Sequence, residues 1–193
     1  MLPPDLGALD EAFAANERDA RTLVANLTEA QGTWCPAPGS WSVAECLDHL
    51  AVGNRVYLAA MQPPARRARQ AGWVRRKPAV PGRLGGWFAR SLEPPVNPRR
   101  RLRAPRAIVP RPGPPLADAS AAFFASHDEV RRFLHAHADL DLAGVHFPNP
   151  FVFGLRFSLA TGLHVLAAHE RRHLWQARQV VAAPGFPGGP AGA

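Results

Sequence analysis

The sequence predicts an all-α protein: a four-helix bundle with a long basic Pro/Arg-rich excursion between its second and third helices. Three observations carry this. The stretches 9–29, 42–61, 116–138 and 157–183 are rich in helix-forming residues, carry apolar side chains at helical spacing and contain no proline. Two of them open on a serine placed to cap a helix, Ser42 and Ser158. No stretch reads convincingly as a strand, and four long helices without strands close most simply as a bundle.

The first helix, 9–29, has Phe13, Leu23, Val24 and Leu27 as core contacts. A Pro/Gly-rich loop, 32–39, follows, with Trp34 placed to plug the end of the bundle. The second helix starts at Ser42. Ser42-Val43-Ala44-Glu45 spells a capping box and Trp41 occupies the position of a hydrophobic staple. Its inner stripe is Leu47, Leu50, Asn54, Tyr57, Leu58 and Met61, with His49 beside it. Residues 62–115 break the helical pattern. A short helix over 84–92 would place Leu84, Trp87, Phe88 and Leu92 on one side, so the excursion is expected to pack through its Trp and Leu residues. The third helix, 116–138, contributes Phe123, Phe124, Val130, Phe133 and Leu134, and an irregular connection, 139–150, leads to the fourth. The bundle domain thus spans 1–183, followed by a disordered Gly/Pro/Ala tail, 184–193.

Composition narrows the function classes. No apolar run approaches the about 20 residues of a membrane span, and the N-terminus lacks the order of a signal peptide, so a cytoplasmic protein is expected. Two cysteines, Cys35 and Cys46, read as free thiols. The net charge of +8 is local: residues 64–112 hold 14 Lys/Arg and one acid, while the rest of the chain is mildly acidic. The basic stretch, with Trp73, Trp87 and Phe88 among its arginines, is either a solvated cover over a pocket or a surface for nucleic acid.

The chemistry concentrates in His169-Glu170-Arg171-Arg172-His173-Leu174-Trp175-Gln176. Histidines four apart project from one helix face and can grip a single metal ion. His49 on the second helix can complete a three-nitrogen set if those helices are neighbours, leaving positions open for water or substrate. Gln176 or Glu170 could hold a ligand histidine or a bound water. HERRH also matches the bare zinc-protease string HExxH, but no His, Asp, Glu or Cys follows His173 to serve as a third ligand. His164 sits well round the helix as a core or interface residue. His127, His135, His137 and His146 are placed on solvated faces or loops, and Cys46 as a small buried hydrophobe. Arg171 and Arg172 are expected to pair with acids of another helix.

The helix around Trp41-Ser42-Val43-Ala44-Glu45-Cys46-Leu47-Asp48-His49-Leu50, followed later by HERRHLWQ, resembles the DinB-like superfamily over about 9–62 and 116–182. The resemblance implies a four-helix bundle, commonly a homodimer, with a divalent metal (Zn, Ni, Fe or Mn) on His49, His169 and His173 and with Gln176 at the matching glutamine. It further implies a thiol S-transferase-like or hydrolase-like enzyme that acts on a small molecule, with the metal activating a low-molecular-weight thiol or water. The alternative is a non-catalytic, stress-associated metal-binding protein that touches nucleic acid through the basic segment. The excursion at 62–115 is longer and more basic than the family pattern.

Overall fold

The computed structural model describes residues 1–95 and 104–188. Helix α1 (Pro4–Val24) starts on a proline, whose missing N–H costs nothing in a first turn. It stops short of the expected 29 because Thr28 caps a new short helix, α2 (Glu29–Gly32), through a capping box with Gln31. The box expected at Ser42 is present: Ser42 Oγ accepts the Glu45 N–H at 3.1 Å and Glu45 accepts the Ser42 N–H at 2.8 Å. It opens α3 (Val43–Gln70). This helix runs nine residues past the expected Met61, through Pro63 and Pro64. Those prolines remove two helix hydrogen bonds, but burial of Pro64, Ala65 and Ala68 against the core offsets the loss.

Helix α4 (Arg83–Leu92), a 3-10 turn (Arg106–Ile108), α5 (Leu116–Ala136), strands β1 (His146–Pro148) and β2 (Arg156–Ser158), and α6 (Leu159–Val181) complete the chain. Ser158 caps α6 by accepting the Thr161 N–H, as its position suggested. The strands correct the strand-free expectation. They pair antiparallel with Phe147 opposite Phe157, both buried, and Asn149 Oδ1 accepts two N–H groups in the connecting turn. Three-residue strands around Pro148-Asn149-Pro150 leave too few alternating positions to register as strand pattern.

Contacts fix the helix directions. Gly53 faces His169 and Met61 faces Gly162, so α3 and α6 are antiparallel. Asn54 meets Ser126 and Arg69 meets Ala136, so α3 and α5 run parallel. Parallel neighbours require a crossover along the full length of a 28-residue helix, about 42 Å. That is the reason for the long excursion, and its described parts are docked rather than loose. Asp5 on α1 accepts both Arg75 Nη2 (2.6 and 2.8 Å) and the Ala79 N–H (2.6 Å). Arg171 donates to Glu93, and the His164 ring lies 3.3 Å from the Ala79 carbonyl.

The expected apolar face of α4 needs correction. Gly85, Ala89 and Leu92 are buried, but Leu84 is 59% and Trp87 62% exposed, and Trp73 is 49% exposed. Close packing of Gly85 against Thr161 sets α4 down with Leu92 and half-buried Phe88 inward, Phe88 against Phe157, and turns Leu84 and Trp87 outward. The tail also differs over 184–188. Phe186 packs edge-on against Trp34, 5.6 Å between centroids, and Gln31 donates to the Pro187 carbonyl. The rest of the expected disordered tail, and the arginine cluster at 99–103, lie outside the described residues. Among the described residues no helix is long and apolar enough to cross a membrane.

The Asp5 anchor yields a pH prediction. The Arg75 guanidinium holds the Asp5 carboxyl below its ordinary value, against the opposing effect of partial burial. A carboxylate with a lowered native pKa stabilises the fold above the unfolded value, near 3.9, and that stabilisation is lost as pH falls through the native value. Asp5→Asn is therefore expected to cost about 1 kcal/mol at pH 7, with the difference from wild type closing below about pH 4 in urea titrations followed by circular dichroism. A deficit that persists unchanged at pH 3 would contradict the role of the ion pair.

Candidate metal centre

α3 and α6 bring the three expected histidines together. His49 lies near the start of α3, and His169 and His173 occupy one face about the middle of α6, where the antiparallel pair sets them opposite. His49 Nε2 and His169 Nε2 are 3.0 Å apart, and ring nitrogens of all three residues lie within 4.8 Å of one another. Among the described residues this is the one cluster of three or more His, Cys, Asp or Glu side chains with metal-ligand spacing. Gly53 eases the approach, since a Cβ there would sit 3.3 Å from His169 Cε1 and push the ring back by a few tenths of an ångström.

Hydrogen bonds set the tautomers. His49 Nδ1 donates to the Ile108 carbonyl at 2.5 Å, and His173 Nδ1 donates to Gln176 Oε1 at 3.0 Å. A neutral imidazole that donates from Nδ1 keeps its Nε2 lone pair free. Burial, only partly countered by the Ile108 carbonyl, lowers the His49 pKa. Burial, reinforced by the neighbouring imidazoles and the Arg172 charge, drives His169 and His173 well below the usual histidine value. The trio is thus neutral near pH 7, the state in which imidazole binds a metal. Tetrahedral ligation with bonds near 2.0–2.1 Å sets nitrogens about 3.3 Å apart, close to the His49–His169 separation. The donor set fits a divalent ion of the zinc, nickel or iron kind, and three nitrogens leave coordination positions for another ligand.

The surroundings contain residues the sequence did not mark. Trp41, read as a helix staple, lies against the centre with its ring 4.7 Å from His49 and 5.7 Å from His173. Ile108 acts through a backbone carbonyl, which leaves no side-chain signature. Arg111 closes the same edge by donating its N–H and guanidinium to buried Asp48 at 2.7–3.0 Å. The return limb of the crossover therefore completes the site.

Three expectations fail here, for Glu170, His127 and Arg172. Glu170, expected beside the ligands, turns into the core. It accepts from Asn16 and Asn54 at 3.0 Å and lies 3.1–3.2 Å from His127 Nδ1. Its neighbour in sequence faces the centre, but one residue along a helix is a turn of 100°. His127, expected on a solvated face, is fully buried as the partner of Glu170. His135 pairs with Asp10, His137 bonds the Phe133 carbonyl, and His146 lies exposed on the hairpin. Asn54 belongs to the Glu170 cluster, and Tyr57 is a core residue 3.4 Å from Asn149. Arg171 pairs as expected, with Glu93. Arg172 is half-buried and has no carboxylate partner among the described residues. Cys46 is fully buried, as expected, with its thiol pKa pushed up by desolvation; partial burial and Glu45 raise that of Cys35.

A helical bundle that converges three neutral imidazoles from two antiparallel helices has a donor set that could hold a metal ion. The family model of the DinB superfamily matches residues 12–177, and the chain belongs to that superfamily. No curated protein and no solved structure matched the chain.

Proposed function

We propose that the chain is a divalent-metal-dependent enzyme acting on a small molecule, a thiol S-transferase or a hydrolase, with His49, His169 and His173 as the ligands. The observation that carries this reading is the convergence of three neutral ring nitrogens on one point, from buried His49 and His173 and half-buried His169, two of them with their tautomers fixed by Ile108 and Gln176. A bound divalent ion would lower the pKa of a thiol or water beside it and polarise an electrophile.

The chain's own residues favour an external nucleophile. Neither cysteine supplies a thiolate, since burial and Glu45 hold both thiols above their ordinary value. Glu170 has both oxygens engaged in the core and is not placed to serve as a base. The chain's part is then to hold the ligands, keep them deprotonated and exclude water with the Trp41 ring.

The test is metal content per chain by mass spectrometry, on protein purified without a metal-affinity tag, followed by consumption of a low-molecular-weight thiol in the presence of an electrophile. About one equivalent of metal and metal-dependent turnover are expected. No metal after exposure to Zn, Ni, Mn and Fe would overturn the site. Metal without thiol consumption or hydrolysis would leave only a binding protein. Gln176→Ala is expected to weaken metal affinity by about 10–100-fold in competition with a chromophoric chelator, because it frees the His173 ring to turn. An unchanged affinity would remove that residue from the site.

A further inference from the structure

Most of the excess positive charge plays no part in the metal centre. Arg69, Arg75 and Arg111 are paired with Asp139, Asp5 and Asp48. Arg66, Arg67, Arg76, Lys77, Arg83 and Arg90 have no carboxylate partner among the described residues. Part of this surplus borders a groove of about 430 Å³ between the end of α3 and the β1–β2 hairpin. Arg67 lines it from the helix, and His146 and Arg156 from the hairpin. Trp73 forms another wall, with half of its surface exposed. Among the described residues no carboxylate lines the groove. The acids on the adjoining loop are engaged elsewhere: Asp139 with Arg69, and Asp141 with the Gly144 N–H. Arg156 spends one N–H on the His146 carbonyl at 3.3 Å and keeps its remaining donors.

We propose that this groove binds a nucleotide unit: a phosphate held by Arg67 and Arg156, and a base stacked on Trp73. Guanidinium forks match phosphate oxygens in geometry and charge, and an indole face accepts any base without reading its sequence. The volume suits one such unit. The site is separate from the metal centre, because Arg67 lies 18 residues beyond His49 on the same helix, about 27 Å along its axis. The occupant is a free nucleotide or one residue of a single strand, and the neighbouring unpaired cations offer a path for a longer backbone.

The test uses the full chain at low salt, with fluorescence anisotropy of a labelled thymidine 12-mer and calorimetric titration with AMP and with inorganic phosphate. Trp73, Arg67 and Arg156 are surface residues, so their variants keep the fold, checked by circular dichroism. Binding of the 12-mer or of AMP is expected to weaken about tenfold in Trp73→Ala. In the double variant Arg67→Ser/Arg156→Ser, the salt slope of 12-mer binding is expected to fall by about 1.4. Binding of AMP alone identifies a free nucleotide, and binding of the 12-mer over AMP identifies a single strand. Absence of both, binding unchanged in all variants, or phosphate binding as tight as AMP with no effect of Trp73→Ala would each overturn the proposal.

Discussion

Glu170→Ala is expected to destabilise the folded chain by about 3–5 kcal/mol, the range for removing one partner of a buried ion pair. Glu170 and His127 are both fully buried, and the Glu170 carboxylate also accepts from Asn16 and Asn54. The cluster therefore ties α1, α3, α5 and α6 together at one level of the core. Alanine would take one acceptor from a donor on each of three helices, leaving Asn16 only the Ala167 carbonyl and Asn54 only Ser126, and each buried N–H so orphaned carries a desolvation cost of about 1–3 kcal/mol. Glu170→Gln keeps an oxygen acceptor and nearly the same shape, so its cost should fall near the lower end, about 1–2 kcal/mol. Urea unfolding of both variants checks this. A loss below about 1 kcal/mol in the alanine variant would show that water replaces the carboxylate and that the cluster does not hold the bundle.

The second large effect concerns the proposed ligands. His49→Ala is expected to lower metal content from about one equivalent to about a tenth or less, since two imidazoles from one helix seldom hold a divalent ion against buffer. The variant also removes the donor to the Ile108 carbonyl, so the return limb of the crossover loses one of its attachments, while Arg111 and Asp48 still pin it. Cys46→Ala, one turn earlier and fully buried, should keep the full metal content. Retention of metal in His49→Ala would show that the ion sits on α6 alone. Parallel loss in both variants would point to general unfolding.

The helices and the pairing of two histidines on one helix face were legible in the sequence because both rest on local patterns. Ser42 and Glu45 spell a cap within four residues, and His169 and His173 share a face by spacing alone. His49 needed more, namely that α3 and α6 be neighbours, and the family resemblance supplied it. What escaped depends on long-range packing. His127 carries no local mark of burial; its place follows from Glu170, 43 residues later. Pro63 and Pro64 signal a helix end, and only the contacts of Pro64, Ala65 and Ala68 carry α3 past them. Trp87 and Leu84 looked like core residues until the packing of Gly85 turned them outward. Ile108 enters the site through a group that every residue except for its geometry shares, the main-chain carbonyl.

The crossover has a consequence for the order of events during synthesis. His49 is translated 120 residues before His169, with the whole crossover and α5 between them. At about 5–20 residues per second, roughly 6–24 s separate the first ligand from the second. Through that interval α3 has an apolar stripe and no α6 to cover it, and any ion that meets the nascent chain finds one imidazole. The trio forms only when α6 docks between α1 and α3, so capture of an ion there would report completion of the bundle. In a refolding experiment, metal uptake should therefore track the slowest folding phase and never precede it.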